Sequence, residues 1–210
     1  MTPSRILVLA PHTDDGELGC GASIAHFISG GSEVYYAAFS LCENSLPEGW
    51  APDSLKKECI AATAQLGIDE SHVIFHTFPV RHFPQHRQDI LEILVKLNRE
   101  LNPDLVFIPA ADDVHQDHQV IHNEARRAFK QTGLLGYELP WNQSVIRSNF
   151  FVSVSEDNLR RKAAALACYE SQHKRSYMQP GFVEALARVR GVQGGSAAAE
   201  AFEVYRLYAH

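Results

Sequence analysis

The sequence predicts an α/β fold: a mostly parallel sheet covered by helices on both faces, in one domain over residues 1–210. Two observations carry this. Short, continuous apolar runs alternate with stretches of helical periodicity, which is the pattern of strands buried on both faces. The 210 residues, 45% hydrophobic and 21% charged, suffice for one sizeable core and have ordinary globular composition.

The elements follow in order. Ile6-Leu7-Val8-Leu9-Ala10 is short, rich in branched residues and ended by Pro11, and reads as a central strand. A helix from about Leu18 to Ile28 comes next, closed by Gly30-Gly31, and then a strand over residues 34–39. Ser54 is placed to cap a helix through Leu66, stopped by Gly67, and residues 73–75 make a third strand. The clearest helix covers about 88–101. Ile90, Leu91, Ile93, Leu94, Leu97 and Leu101 recur near the helical period there, and Asn102-Pro103 ends it. Residues 105–108 give a fourth strand. Beyond Thr132 the alternation weakens, with a strand expected over 145–154, a helix over 157–169 and a closing strand over 202–208. Residues 40–53 and 191–199 read as loops, and long loops in compact domains often wall an active site.

Charge and composition exclude some classes of function. The net charge of −6 argues against general nucleic-acid or anionic-membrane binding, both of which need a basic surface. No apolar run approaches the ~20 residues of a bilayer span. Met1, Thr2, Pro3, Ser4 and Arg5 lead straight into the first strand without a signal-peptide core. Cys20, Cys42, Cys59 and Cys168 show no CxxC spacing and are expected to be reduced thiols of a cytoplasmic protein.

Two polar clusters carry the chemistry, and each follows a strand directly. In parallel sheets ligands sit beyond the carboxyl ends of the strands. His12-Thr13-Asp14-Asp15 crowds two carboxylates and an imidazole at one strand end, which is costly unless a cation binds there. Asp112-Asp113-Val114-His115-Gln116-Asp117-His118 is a second hydrophilic knot that no core would need. The bland readings are a turn or cap for the first and a polar helix start for the second. If the two strands are neighbours, the clusters meet. Two histidines, one carboxylate and an open position form the ligand set of a hydrolytic zinc site, with the remaining carboxylate as base.

Pro11-His12-Thr13-Asp14-Asp15 followed by Leu18-Gly19-Cys20-Gly21 resembles the His-Pro-Asp-Asp and Leu-Gly-x-Gly signature of the PIG-L (LmbE-like) N-deacetylases. His115-Gln116-Asp117-His118 is similar to their second signature, His-x-Asp-His. Tyr169-Glu170-Ser171-Gln172 and Ala199-Glu200-x-Phe202 resemble weaker C-terminal elements, so the likeness spans nearly the whole chain. The resemblance implies a Rossmann-like α/β fold and removal of an N-acetyl group from an amino sugar, within a glycoconjugate or nucleotide-sugar pathway. It implies Zn²⁺ held by His12, Asp15 and His118, with Fe²⁺ or Co²⁺ as other metals such a site accepts. Asp14 would then be the general base on the attacking water. His115, as imidazolium, would stabilise the oxyanion or protonate the amine, and Asp117 would orient the histidines.

The chain departs from the pattern in three places. Thr13 stands for the usual proline, Gly16 for a frequent glutamate with Glu17 one place later, and Leu55 for a frequent arginine before Glu58. The substrate contacts therefore depart more than the metal site does.

Among other residues, Arg81 in the basic segment 81–87 and Asn142 in Tyr137-Glu138-Leu139-Pro140-Trp141-Asn142 are candidate substrate contacts. His122, one helical turn beyond His118, is a candidate further ligand. His26, His72, His76, His82, His86, His173 and His210 read as surface or hydrogen-bonded positions. An Fe(II) oxygenase also uses two histidines and a carboxylate, but its usual β-barrel does not match the alternation here. A receiver-like module would leave His115 to His118 without a purpose. Hydrolysis of another amide, for example N-formyl, stays open, as do a non-catalytic sugar-binding member and a homo-oligomeric state.

Overall fold

The computed structural model describes residues 3–179 and 181–208; Met1, Thr2 and His210 lie outside them. Seven strands, β1 (Arg5–Ala10), β2 (Glu33–Ala38), β3 (Val73–Phe75), β4 (Leu105–Pro109), β5 (Gly133–Tyr137), β6 (Phe150–Ser153) and β7 (Ala199–Arg206), form one sheet in the order β3-β2-β1-β4-β5-β7-β6. The first five are parallel, and β7 and β6 join antiparallel. Six α-helices among the described residues cover it: α1 (Asp15–Ser29), α2 (Ser54–Leu66), α3 (Arg87–Leu101), α4 (Gln116–Ala128), α5 (Glu156–Ala167) and α6 (Phe182–Gly194). No described helix is long and apolar enough to cross a membrane.

The two faces follow from strand alternation. Ile6, Val8 and Ala10 enter a core shared with α1, α2, α5 and α6, whereas Leu7 and Leu9 enter a second under α3 and α4. All five are fully buried, which is why β1 reads as an unbroken apolar run. The chain winds outward from β1 through β2 to β3, then returns to lay β4 against the other side of β1. The reversal opens a crevice between β1 and β4 at their carboxyl ends.

Helix α1 begins at Asp15, three residues before the sequence signal, and Cys20 breaks it with φ −145° and ψ 20°. Its first turns lie almost on the sheet. A Cβ at Gly19 would stand 2.3 Å from the Tyr137 ring, and one at Gly16 would stand 2.5 Å from Tyr36. The kink frees backbone groups inside the fold, and a buried ion pair takes them up. Lys162 Nζ donates to the Leu18 carbonyl (2.7 Å) and to Glu200 (2.6 Å). Glu200 in turn accepts from the N–H groups of Ala22 (3.1 Å) and Ser23 (2.6 Å).

Other boundaries differ from expectation. Asp53, not Ser54, occupies the N-cap of α2, and no side chain caps it. Strand β5 has no clear sequence signal, because Gly133-Leu134-Leu135-Gly136-Tyr137 has only two aliphatic residues between glycines. The strand expected over 145–154 shrinks to β6, since Val145 and Ile146 are exposed. The helix expected from 157 starts at Glu156, behind a capping box made by Ser155 and Asn158, and ends at Ala167. Residues 191–194, expected as loop, are the end of α6, and Ala199 already opens β7. The loop expected over 40–53 is present, with one 3-10 turn, Glu43–Ser45.

Candidate metal centre and active site

Both clusters meet at the crevice. β1 pairs with β4 in parallel register, Ile6 opposite Leu105, so the segments leaving the two strands converge. His12 and Asp14 lie between β1 and α1, and Asp15 opens α1. His115 is the N-cap of α4, with Asp117 and His118 in its first turn. The second cluster is thus a helix start and part of the site at once.

The histidine contacts define the centre. His118 Nδ1 lies 2.7 Å from Asp113 Oδ2, and His12 Nε2 lies 3.1 Å from Asp117 Oδ2. Each ring is thereby held by a carboxylate on one nitrogen, which fixes the proton there. The remaining nitrogens, His12 Nδ1 and His118 Nε2, face each other at 3.2 Å. Asp15 Oδ2 completes a triangle, 3.1 Å from the first and 3.2 Å from the second. Three such donor atoms pointed at one another repel unless a proton or a metal cation lies among them. Bonds of about 2.0–2.2 Å to a tetrahedral divalent ion set donor separations near 3.4 Å, so the triangle fits such an ion with little movement. Ring nitrogens of His12, His115 and His118 also fall within 4.8 Å of one another. That set is looser, and His115 Nδ1 already accepts the Asp117 N–H (3.2 Å).

The electrostatics agree. Burial disfavours a charged His118, yet Asp15 and Asp113 outweigh it and hold the ring up at about 10. Burial likewise works against an ionised Asp15, but His118 and His12 hold its carboxyl well below the usual range. Asp14 behaves oppositely: burial and then the charge of Asp15 push it up to about 6. Its side chain caps no backbone group although it occupies the N-cap of α1, and it lines the cavity. His115 departs from the expected imidazolium. Burial and the charges of His118 and His12 lower it to about 4, so the ring is neutral with its proton on Nε2.

The cavity above these groups has a volume of about 510 Å³. Its walls include Arg81 and Asn142 from the sequence expectations, together with Cys42, Gln172, Arg175, Trp141 and Tyr177. His122 does not join the centre: its Nδ1 lies 2.9 Å from the Pro109 carbonyl and its ring abuts Tyr205. Sequence reasoning gave no role to Asp113, the partner of His118, or to Arg175. Glu17, noted in the sequence as the motif's glutamate displaced by one place, lies buried against the hydroxyls of Tyr36 and Tyr169. Both tyrosines also reach the Thr13 carbonyl, at 2.9 and 2.6 Å, and so brace the turn that carries Asp14 and Asp15. The weak motif at 169–172 was the one available signal. Tyr169 braces the turn, and Ser171 donates to Glu58 through its N–H (2.9 Å) and its hydroxyl (2.6 Å).

Fold and site together define an α/β protein with a histidine–carboxylate cation site at the switch point of its sheet. Residues 7–129, more than half of the chain, match the family model described as PIG-L: GlcNAc-PI de-N-acetylase. The chain belongs to that family of deacetylases. It is 28% identical over 170 residues to an Escherichia coli (strain K12) protein described as uncharacterized deacetylase YaiS, covering 79% of this chain and 90% of that protein. The crystal structure of the conserved protein TT1542 from Thermus thermophilus superposes with a TM-score of 0.78 at 27% identity, covering 98% of this chain and 96% of that one. The N,N'-diacetylchitobiose deacetylase from Pyrococcus horikoshii shares the fold at a TM-score of 0.80 and 19% identity, over 96% of this chain and 84% of that one.

Proposed function

We propose that this chain is a divalent-metal-dependent amide hydrolase that removes the N-acetyl group of an amino sugar or its conjugate, with Zn²⁺ as the metal. The observation that carries this reading is the convergence of His12 Nδ1, His118 Nε2 and Asp15 Oδ2, with Asp117 and Asp113 behind the two rings. These three residues would hold the ion. When bound, it would polarise the acyl carbonyl and make water more acidic.

The chain's own groups supply the rest. Asp14, held near 6, is matched to accept a proton from water as the water oxygen bonds to the acyl carbon. The same proton then passes to the nitrogen as the C–N bond breaks, giving a carboxylic acid and an amine, which the second water proton converts to a carboxylate and an ammonium. The neutral His115 donates from Nε2 to the developing oxyanion. Asp117 keeps His12 in register and accepts the N–H groups of Arg81 and Phe83, tying the loop after β3 to the centre. Arg81 and Asn142 would contact the substrate from the cavity wall.

The test is acetate release from a panel of N-acetylated sugars and nucleotide sugars, using metal-stripped protein with and without Zn²⁺. Metal-restored release supports the reading, and the absence of release with metal bound overturns it. Asp14→Asn should keep its metal and lose about 10²-fold or more in kcat. A fully active variant would remove Asp14 from the mechanism.

A further inference from the structure

Of the two arginines on the cavity wall, Arg175 shows the more telling surroundings. Its Nε donates to Gln172 Oε1 (2.7 Å) and its Nη1 donates to the Tyr177 hydroxyl (2.8 Å). Gln172 is itself buried and donates to Ser171 Oγ (3.0 Å), which is held by Glu58. Tyr177 is stacked on Trp141, with ring centroids 4.0 Å apart and planes 8° from parallel. The guanidinium is therefore pinned through a chain of contacts that reaches α2, and both its direct partners are neutral.

Many other arginines of the chain are ion-paired, although Arg126 and Arg206 meet a ring and a carbonyl instead. Arg190 holds Glu138, Arg87 holds Glu124, Arg147 holds Asp112 and Arg5 holds Glu33, each within 2.7 Å. Neither Arg175 nor Arg81 has a carboxylate within 4.0 Å among the described residues. Arg81 also adopts φ +70°, a left-handed conformation that costs a non-glycine residue energy. Its N–H bond to Asp117 holds it there, beside the catalytic centre. The carboxylate whose charge Arg175 does meet is Asp14 at the centre itself. Both arginines are exposed and have no direct ion pair among the described residues, so each keeps donors of its fork for an incoming group.

We propose that the acylated amine this site accepts carries an anionic oxygen group, a phosphate or a carboxylate, engaged by Arg175 and Arg81 while the metal centre holds the acyl group. This rests on the amide-hydrolase reading above and narrows its substrate class. The Trp141–Tyr177 stack supplies a flat apolar wall beside the charge, suited to a sugar ring between the two ends.

Calorimetric titration of the metal-loaded protein with amines tests the subsite apart from turnover. Glucosamine, glucosamine 1-phosphate, glucosamine 6-phosphate and muramic acid are compared, the phosphates and the carboxylate separating the two sources of charge. At least one charged amine should bind about 10-fold or more tightly than glucosamine, the strength of a charge-assisted pair. Arg175→Gln should collapse that ratio toward one, and Arg175→Lys should restore part of it. Equal binding of charged and neutral amines, or an unchanged ratio in Arg175→Gln, overturns the proposal. Charge-selective binding without hydrolysis of any N-acetyl compound would sink the deacetylase reading and leave the subsite standing. Hydrolysis with no charge preference in binding would do the reverse.

Discussion

Replacing Lys162 by methionine tests how the kinked helix α1 is held. Lys162 is 4% exposed and Glu200 is 6% exposed. The substitution keeps most of the volume but leaves Glu200 as a buried charge without its cation, and takes the donor from the Leu18 carbonyl. Removing one partner of a buried pair costs about 3–5 kcal/mol. The orphaned carbonyl falls within that range rather than adding to it in full, since the freed space admits some relaxation. For a domain of this size the loss corresponds to a melting-point drop of roughly 6–20 °C. Urea unfolding of wild type, Lys162→Met and the double variant Lys162→Met/Glu200→Gln measures it. The double variant removes the stranded charge and keeps an acceptor oxygen for one of the Ala22 and Ser23 N–H groups, so it should regain about 1–2 kcal/mol over the single variant. A single variant within about 1 kcal/mol of wild type, or a double variant less stable than the single, would refute the view that this pair replaces the broken helix bonds.

Three further outcomes follow from the same geometry. Asp113→Asn should weaken metal binding about 10–100-fold by equilibrium dialysis, because Asp113 fixes the proton on His118 Nδ1. Gly19→Ala should destabilise by about 1–3 kcal/mol in thermal unfolding, although alanine is the better helix former, because its Cβ meets the Tyr137 ring. Burial raises Glu17 from its usual value to about 8, so the native state binds its proton more tightly than the unfolded state. Its contribution is fully present below the unfolded value near 4.5 and is lost as pH rises toward 8, on the order of 4–5 kcal/mol in all. Glu17→Gln should flatten that slope, and parallel pH–stability curves for the two proteins would contradict it.

Several parts of this protein were legible along the chain. Ile6 to Ala10 and Leu105 to Ile108 are buried on both faces, so their burial is written as unbroken apolar runs. Helix α3 buries Ile90, Leu91, Leu94 and Leu97 and exposes the residues between, which gives it a visible period. His12, Asp14, Asp15, His115 and His118 are legible for a related reason. A polar cluster placed directly after a buried strand has no role in a core, and the crevice lies where strands end. Elements with little local contrast were not legible. β5 hides among glycines, and α6 starts from Gly181 in a left-handed conformation without a side-chain cap.

What the sequence by itself determined is the alternation of strands and helices and the residue types gathered at two strand ends, because both depend on neighbours close in the chain. Only the tertiary structure decided which atoms face each other. The β1–β4 register brings His12 to His118 across 106 positions, and it assigns Asp117 to one ring and Asp113 to the other. Lys162 and Glu200, 38 residues apart, have no local signal of their own. They matter because a helix breaks at Cys20 inside a closed core, where every backbone group left without a partner must find one in the surrounding fold.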